Sequence, residues 1–417
     1  MVDVFFAFPA FSERIQQRPD IQAHISGRFN SSLCGVTVEA MRQQKIGGIY
    51  GAINGILGVL REELVDLRQE DPLSIWGLRG TPSAALGSCR HKLRDDDFKR
   101  VMDVFAAHDV GYFIYAGGND SMDTAHKVAR LAAERKYDLK VIGVPKTVDN
   151  DLLITDHCPG YGSVARFNAI TTRDSSLDTE AIYTSDTVKI IETMGRDTGW
   201  ITASTALGKE NEEDGPHLIY LPERPFVADK FLEDVQSVYK RLGRVVISVC
   251  EGLKDEKGEF VTASERALDT DSYGHKQLGG VANYLVNLTA SKLKIKARYD
   301  KPGTIQRVSG LCMSRVDVEE AYLVGQVAVS KATDGESDKM VTMIRKATTE
   351  YACETGLVDL EKVALGRKPV PDNYISKESN FVTPEFLRYA RPLMGDSLPK
   401  YARLRKRALD KRLPKYD

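Results

Sequence analysis

From about residue 98 onward, short apolar runs bounded by glycine alternate with longer segments whose apolar residues recur every three or four positions. That alternation is the pattern of parallel strands buried on both faces by crossover helices. The runs predict strands at Gly111–Ala116, Lys140–Val144, Thr187–Thr193, His217–Leu221, Arg244–Cys250 and Thr304–Val308. The segments between them predict helices at Asp97–His108, Met122–Arg135, Ser163–Ser175, Ala228–Leu242, Lys276–Lys292 and Val318–Ser330. The class implied is α/β. The first 25 residues show no clear period and receive no element, and no internal repeat of 20 to 50 residues is visible.

Composition narrows the function classes. The 417 residues carry 58 Lys and Arg against 59 Asp and Glu, a formal charge of -1, which argues against nucleic acid as a partner. With 42% hydrophobic and 28% charged residues, the chain reads as globular and long enough for two domains. The apolar stretch from Val4 to Phe11 is too short to span a bilayer and follows no basic segment, so a cytoplasmic protein without a membrane partner is expected. Six cysteines lie far apart with no C-x-x-C pair, which predicts reduced thiols rather than a zinc site or a disulfide scaffold. From Lys400 the chain is strongly basic, which suits either a solvated helix end or a phosphate-attracting tail.

Polar residues gather where the predicted strands end. Tyr112 to Ala116 runs into Gly117-Gly118-Asn119-Asp120-Ser121 and then a helix; paired glycines admit phosphate oxygens to backbone N–H groups, and a helix N-terminus adds donors and a positive dipole end. An ordinary tight turn reads the same way. The next strand ends in Pro145-Lys146-Thr147-Val148-Asp149-Asn150-Asp151, which offers a base, a second carboxylate and a phosphate-neutralising cation, or alternatively an Asx-rich loop capping a helix. Two further strands end in Met194-Gly195-Arg196 and in Glu251-Gly252, and Arg307 follows Thr304-Ile305-Gln306. An arginine there suits a bidentate phosphate contact.

That ordered set resembles the phosphofructokinase family, and the Pro-Lys-Thr-Val-Asp-Asn-Asp form resembles its pyrophosphate-dependent branch. Lys45 to Tyr50, Asn54-Gly55-Ile56, Leu60 to Leu64, Gly87-Ser88-Cys89-Arg90 and Gly274 to Ala282 extend the likeness from about residue 26 to the C-terminus. The resemblance implies two doubly wound α/β domains with mainly parallel sheets. By analogy, a phosphoryl-donor domain covers residues 1–160 with a return near 316–370, and a sugar-phosphate domain covers 161–315 with 371–417. It also implies phosphoryl transfer from pyrophosphate to the 1-hydroxyl of fructose 6-phosphate, dependence on Mg²⁺, and a homodimer or homotetramer. Asp149 is the implied base, Lys146 the cation on the transferred phosphoryl, and Thr147, Val148 and Asp151 neighbours of the acceptor. Met194, Gly195, Arg196 and Glu251 are implied to hold the sugar and Arg307 its 6-phosphate. Gly117, Gly118 and Arg90 would face the donor, with Asn119 and Asp120 near the metal. ATP-using relatives have glycine at both Asp120 and Lys146, so Asp120 is expected to exclude ATP by bulk and like charge.

Several positions depart from the family. Its first strand ends in Ser-Gly-Gly, whereas this chain reads Ser26-Gly27-Arg28-Phe29-Asn30 after the weak strand candidate Gln22-Ala23-His24-Ile25. Gly27 and Arg28 are therefore the expected donor contacts, with Arg28 standing in for lost backbone donors. Thr187 occupies a position where a basic contact to the sugar phosphate is common, with Lys189 two residues on, and Thr304 replaces a tyrosine. The altered loop motivates a rival reading as a non-catalytic homologue that binds sugar phosphate. Another rival is a kinase for a different ketose phosphate such as sedoheptulose 7-phosphate.

Overall fold

The computed structural model describes residues 2–7, 29–89, 91–185, 187–262, 280–364, 366–410 and 412–413. Eleven strands form two sheets among these residues. Strands β1 (Val2–Ala7), β2 (Ile46–Ala52), β3 (Leu64–Asp66), β4 (Val110–Gly117), β5 (Lys140–Pro145), β10 (Lys339–Arg345) and β11 (Cys353–Asp359) make the larger one, in the order β11-β10-β5-β4-β1-β2-β3. Its interior pairs are parallel, and the edge strands β3 and β11 run antiparallel to their neighbours. Strands β6 (Val188–Thr193), β7 (Leu218–Tyr220), β8 (Val245–Cys250) and β9 (Ala297–Asp300) form an all-parallel sheet in the order β7-β8-β6-β9.

Strand alternation explains why both faces of the larger sheet need helices. In β4, Phe113 and Tyr115 join a core with Val101 and Phe105 of the helix Asp95–Ala107, while Ile114 and Ala116 face Leu33, Val36, Val324 and Ala328 on the other side. The smaller sheet is sandwiched likewise. Val188, Ile190, Val245 and Ile247 pack with Phe231, Val235 and Leu285 on one face. Trp200, Phe386, Tyr389 and Val370 fill a separate aromatic core beside Met194 and Ile219. The six cysteines are free thiols, and no helix among the described residues is long and apolar enough to cross a membrane.

The predicted strands hold except at Thr304–Val308. There the chain makes a helical turn, Ile305–Val308, because Gly303 (φ +58°) turns the backbone and Gln306 Nε2 donates to the Gly303 carbonyl at 2.9 Å. The β-branched residues had suggested a strand, but the last strand of that sheet is Ala297–Asp300. The N-terminus differs too. Its first strand is Val2–Ala7, paired in parallel with both β2 and β4, in a region given no element on sequence grounds. The candidate Gln22–Ile25 lies outside the described residues. The helix expected from Met122 starts at Asn119, after an extended Gly118, and Ser121 and Met122 donate their N–H groups to the Gly118 carbonyl at 3.0 Å.

The helices Phe29–Arg42 and Arg315–Thr333 cross at two glycines, where backbones meet almost directly. A Cβ on Gly35 would run into the Tyr322 carbonyl and come within 3.2 Å of the Gln326 nitrogen; one on Gly325 would meet the Ser32 carbonyl. Gly35→Ala is therefore expected to destabilise the protein by about 1–3 kcal/mol, the usual effect of overpacking. A urea unfolding midpoint that falls at constant slope would register that loss, and an unchanged midpoint would show that the crossing has slack.

Candidate active site

The carboxyl ends of β4 and β5 adjoin. Lys146 donates its backbone N–H to the Gly117 carbonyl at 3.0 Å, which locks the Lys146 turn to the paired glycines. Gly117 has no room for a side chain, because a Cβ would collide with the Ser121 side chain. The helix Asn119–Glu134 starts directly beyond, with Asp120 exposed in its first turn. Asp120 does not cap this helix, whose N-cap is Gly118. The Asn119 Oδ1 atom is buried with no hydrogen-bond partner among the described residues.

Lys146 is 7% exposed and its Nζ lies 4.3 Å from the centre of the Phe29 ring. Beyond it, the loop to Asp149 folds on itself: Thr147 Oγ1 accepts the Asp149 N–H at 3.1 Å, and Val148 is buried in the aromatic core. Asn150 adopts a left-handed conformation (φ +56°) and is fully buried. Its Nδ2 donates to Tyr389 Oη at 2.9 Å and its Oδ1 accepts the Cys158 N–H at 2.9 Å. Tyr389 Oη in turn donates to the Asp156 carbonyl at 2.8 Å. The carboxylates flanking Asn150 are thus presented by a braced loop.

The smaller sheet supplies the opposing wall. At the end of β6, Gly195 (φ +136°) leaves no space for a side chain, since a Cβ would sit 2.6 Å from the Thr198 carbonyl. Its N–H donates to Glu251 Oε1, at the end of β8, at 3.2 Å. The Met194 N–H donates to Gln306 Oε1 at 3.4 Å, which ties the turn bearing Arg307 to this loop. Thr198 Oγ1 donates to the Asp149 carbonyl at 3.3 Å, so the two walls touch.

Charged groups from the two walls also act on one another. Burial pulls the Lys146 ammonium down to about 8, a fall partly opposed by Asp149 and deepened by Arg307. Burial raises Asp149, against the pull of Lys146, Arg307 and Arg367. Asp151 is pushed up to about 7 by burial and by Asp149, and Glu251 reaches about 7 mainly through burial, offset by the Gly195 N–H. Arg307 is only 6% exposed, so it brings a buried positive charge to the cluster.

A family model described as Phosphofructokinase matches residues 25–331. The chain belongs to the phosphofructokinase family. It is 40% identical over 408 residues to the pyrophosphate–fructose 6-phosphate 1-phosphotransferase of Halomonas elongata, covering 94% of this chain and 96% of that one. The crystal structure of a pyrophosphate-dependent phosphofructokinase from Marinobacter aquaeolei superposes with a TM-score of 0.83 at 36% identity, covering 99% and 98% of the two chains. A sulfofructose kinase of Alkalicoccus urumqiensis is 34% identical over 80% of this chain and 86% of its own.

Within this phosphofructokinase, Lys146, Thr147, Asp149, Asp151, Gly195, Glu251 and Arg307 come together, with Gly117 and Gly118 beside them. Arg196 lies on the same loop, where a Cβ on Gly252 would run into its carbonyl. Thr304 occupies the position before the turn that bears Arg307, with no capping hydrogen bond from its side chain. Thr187 and Lys189 are elsewhere: they sit at the amino end of β6, on the order of 20 Å along the strand from Met194, and Lys189 Nζ pairs with Asp300 at 3.0 Å. Gly27, Arg28 and Arg90 lie outside the described residues. Sequence reasoning missed Phe29, Gln306, Arg367 and Tyr389, whose roles depend on contacts across more than a hundred residues of chain. Only the Gln306-Arg307 adjacency carried a local signal.

These ionisations bound any turnover that needs Asp149 ionised and Lys146 protonated. For such turnover kcat/KM is expected to rise as pH climbs through the raised carboxylate range and to fall as Lys146 deprotonates near pH 8. Lys146→Arg should remove the alkaline limb, because a guanidinium stays charged. A pH–rate profile corrected for ionisation of the substrates tests this. An alkaline limb left in place would assign it to another group.

Proposed function

We propose that this phosphofructokinase transfers a phosphoryl group reversibly from pyrophosphate to the 1-hydroxyl of fructose 6-phosphate, giving fructose 1,6-bisphosphate and phosphate. The meeting of Lys146 and Asp149 from one sheet with Glu251 and Arg307 from the other is the observation on which this rests. The naming of the 40%-identical relative supports it. A sugar hydroxyl holds its proton far above neutral pH, so Asp149 accepts that proton as the O–P bond forms. The Lys146 ammonium neutralises charge on the phosphoryl in transit, in a pocket dry enough to make that interaction strong. Arg307 clamps the 6-phosphate, and Met194, Gly195, Arg196 and Glu251 contact the sugar. Thr147 and Val148 shape the acceptor side next to Asp151.

The donor would lie against Gly117, Gly118 and the N-terminus of the following helix, with Gly27, Arg28 and Arg90 completing its contacts by family analogy. The family implies a divalent cation, for which Mg²⁺ is the proposed ion. Among the described residues there is no group of three or more His, Cys, Asp or Glu that could hold a metal. Mg²⁺ keeps waters and binds through one or two protein groups plus substrate phosphates. Asn119, with its unpartnered buried oxygen, and Asp120 are the residues that would hold it, where it would neutralise phosphate charge. Asp120 also places a carboxylate where a longer donor continues, which disfavours ATP.

The two sheets are read as a donor half, residues 1–160 returning near 316–370, and a sugar-phosphate half, 161–315 with 371–417. A homodimer or homotetramer in the cytoplasm belongs to the same proposal. Thr187 and Lys189, too far along β6 to reach the sugar held by their own chain, would then act on a neighbouring subunit's sugar phosphate.

Purified protein with fructose 6-phosphate, Mg²⁺ and either pyrophosphate or ATP tests the donor and the reaction together, with sedoheptulose 7-phosphate and sulfofructose as competing acceptors. Turnover with pyrophosphate but not ATP is expected, and Asp120→Gly should admit measurable ATP use. Binding of fructose 6-phosphate without turnover on either donor would replace the proposal with a non-catalytic role. Asp149→Asn should lower kcat by at least about 10²-fold with little change in sugar-phosphate affinity, because the loss falls in the transition state. Calorimetry alongside steady-state rates separates the two quantities, and near-normal turnover would remove Asp149 from the mechanism.

A further inference from the structure

Residues 366–370 run between the two loops that carry the site and are stitched to both. On the base-loop side, the Lys368 N–H donates to the Asp151 carbonyl at 2.8 Å, and Lys368 Nζ donates to the carbonyls of Thr155 and Asp156 at 2.9 and 2.8 Å. On the sugar-loop side, Trp200 Nε1 donates to the Lys368 carbonyl at 2.9 Å. Glu223 Oε1 accepts both the Val370 N–H, at 3.0 Å, and the Gly199 N–H, at 2.8 Å. Arg367 adds a charged link across the gap. Its Nη1 pairs with Asp197 Oδ2, next to Arg196, and its Nε lies 3.7 Å from Asp151 Oδ2, two residues from Asp149.

We infer that Arg367 is a positioning residue for phosphoryl transfer, whose guanidinium, held between Asp151 and Asp197, sets the spacing between the Asp149 base and the sugar bound on the opposite loop. The backbone stitches on either side already secure the segment. The arginine side chain is 39% exposed, and solvent-screened pairs of this kind contribute little to folding. What it changes is geometry. A base must reach its proton at hydrogen-bond distance, and a misplacement of about 1 Å costs on the order of 10²-fold in rate. Lys254, 4.0 Å from the other Asp197 oxygen, is the second cation on that carboxylate and is too distant to substitute for the link.

The inference rests on the proposed pyrophosphate-dependent activity, so the test uses the full chain with fructose 6-phosphate, pyrophosphate and Mg²⁺. Arg367→Ala is expected to lower kcat about 10²-fold while KM for the sugar phosphate and the melting temperature change little. Arg367→Lys should recover part of the rate, since it keeps charge without the two-sided fork. Asp197→Asn should mimic Arg367→Ala, and the double variant should be no slower than either single one. An Arg367→Ala enzyme with wild-type kcat overturns the inference, as does a raised KM at unchanged kcat, which would mark a direct binding contact. A rate loss matched by a large fall in melting temperature in both Arg367→Ala and Arg367→Lys would make Arg367 a structural brace and overturn it too. A wild type inactive with every donor would overturn the proposed function and this inference together, whereas an active wild type with an unaffected variant defeats the inference alone.

Discussion

Burying opposite charges where two sheets end is the constraint on which the rest of this molecule depends. Lys146 and Arg307 are almost wholly removed from water, and Asp149, Asp151 and Glu251 lie close enough to shift one another. Taking each ion out of water costs several kcal/mol, and mutual attraction offsets that only if the geometry is fixed. Burial drives the lysine down and the carboxylates up, each toward its neutral form.

Fixing that geometry falls to elements far from the chemistry. The loop from Thr147 to Gly160 is held by a bridge between its own ends, by Tyr389 on the far C-terminal helix, and by Asp317, which accepts the Gly160 N–H at 2.7 Å and the Ser163 hydroxyl at 2.5 Å. Asp317 opens the helix Arg315–Thr333, whose glycine crossing with Phe29–Arg42 also delivers Phe29 to the Lys146 ammonium. One chain of contacts therefore runs from the helix crossing beside the larger sheet to the buried charged cluster. The tight glycine approach and the buried polar braces serve the same end, which is to leave the charged side chains no alternative place to go.

Much of this was legible in the chain itself. The strands ending at Gly117, Pro145, Thr193 and Cys250 follow from apolar runs bounded by polar loops, and the groups placed at their ends are local neighbours in sequence. Such signals survive without a structure because burial on both faces of a parallel sheet imposes its composition over a few consecutive residues. The same logic failed at Thr304–Val308, where β-branched composition pointed to a strand and a left-handed glycine made a turn instead. It failed again at Val2–Ala7, where the apolar stretch beginning at Val4 was weighed only as a membrane segment and not as an interior strand.

The sequence by itself determined the α/β class, the strand-end positions of the reactive groups and their resemblance to one family, because each depends on residues within a turn or a strand of one another. The folded chain alone settled that Lys146 stands against Phe29, that Asn150 and Tyr389 brace the Thr147–Asp151 loop, that Arg367 links Asp151 to Asp197, and that Thr187 and Lys189 stand apart from the Met194–Arg196 loop. Those are contacts between segments tens to hundreds of residues apart. Local propensity and periodicity hold no information about which distant side chain fills a given space; that is settled by close packing and by the need to pair each buried charge.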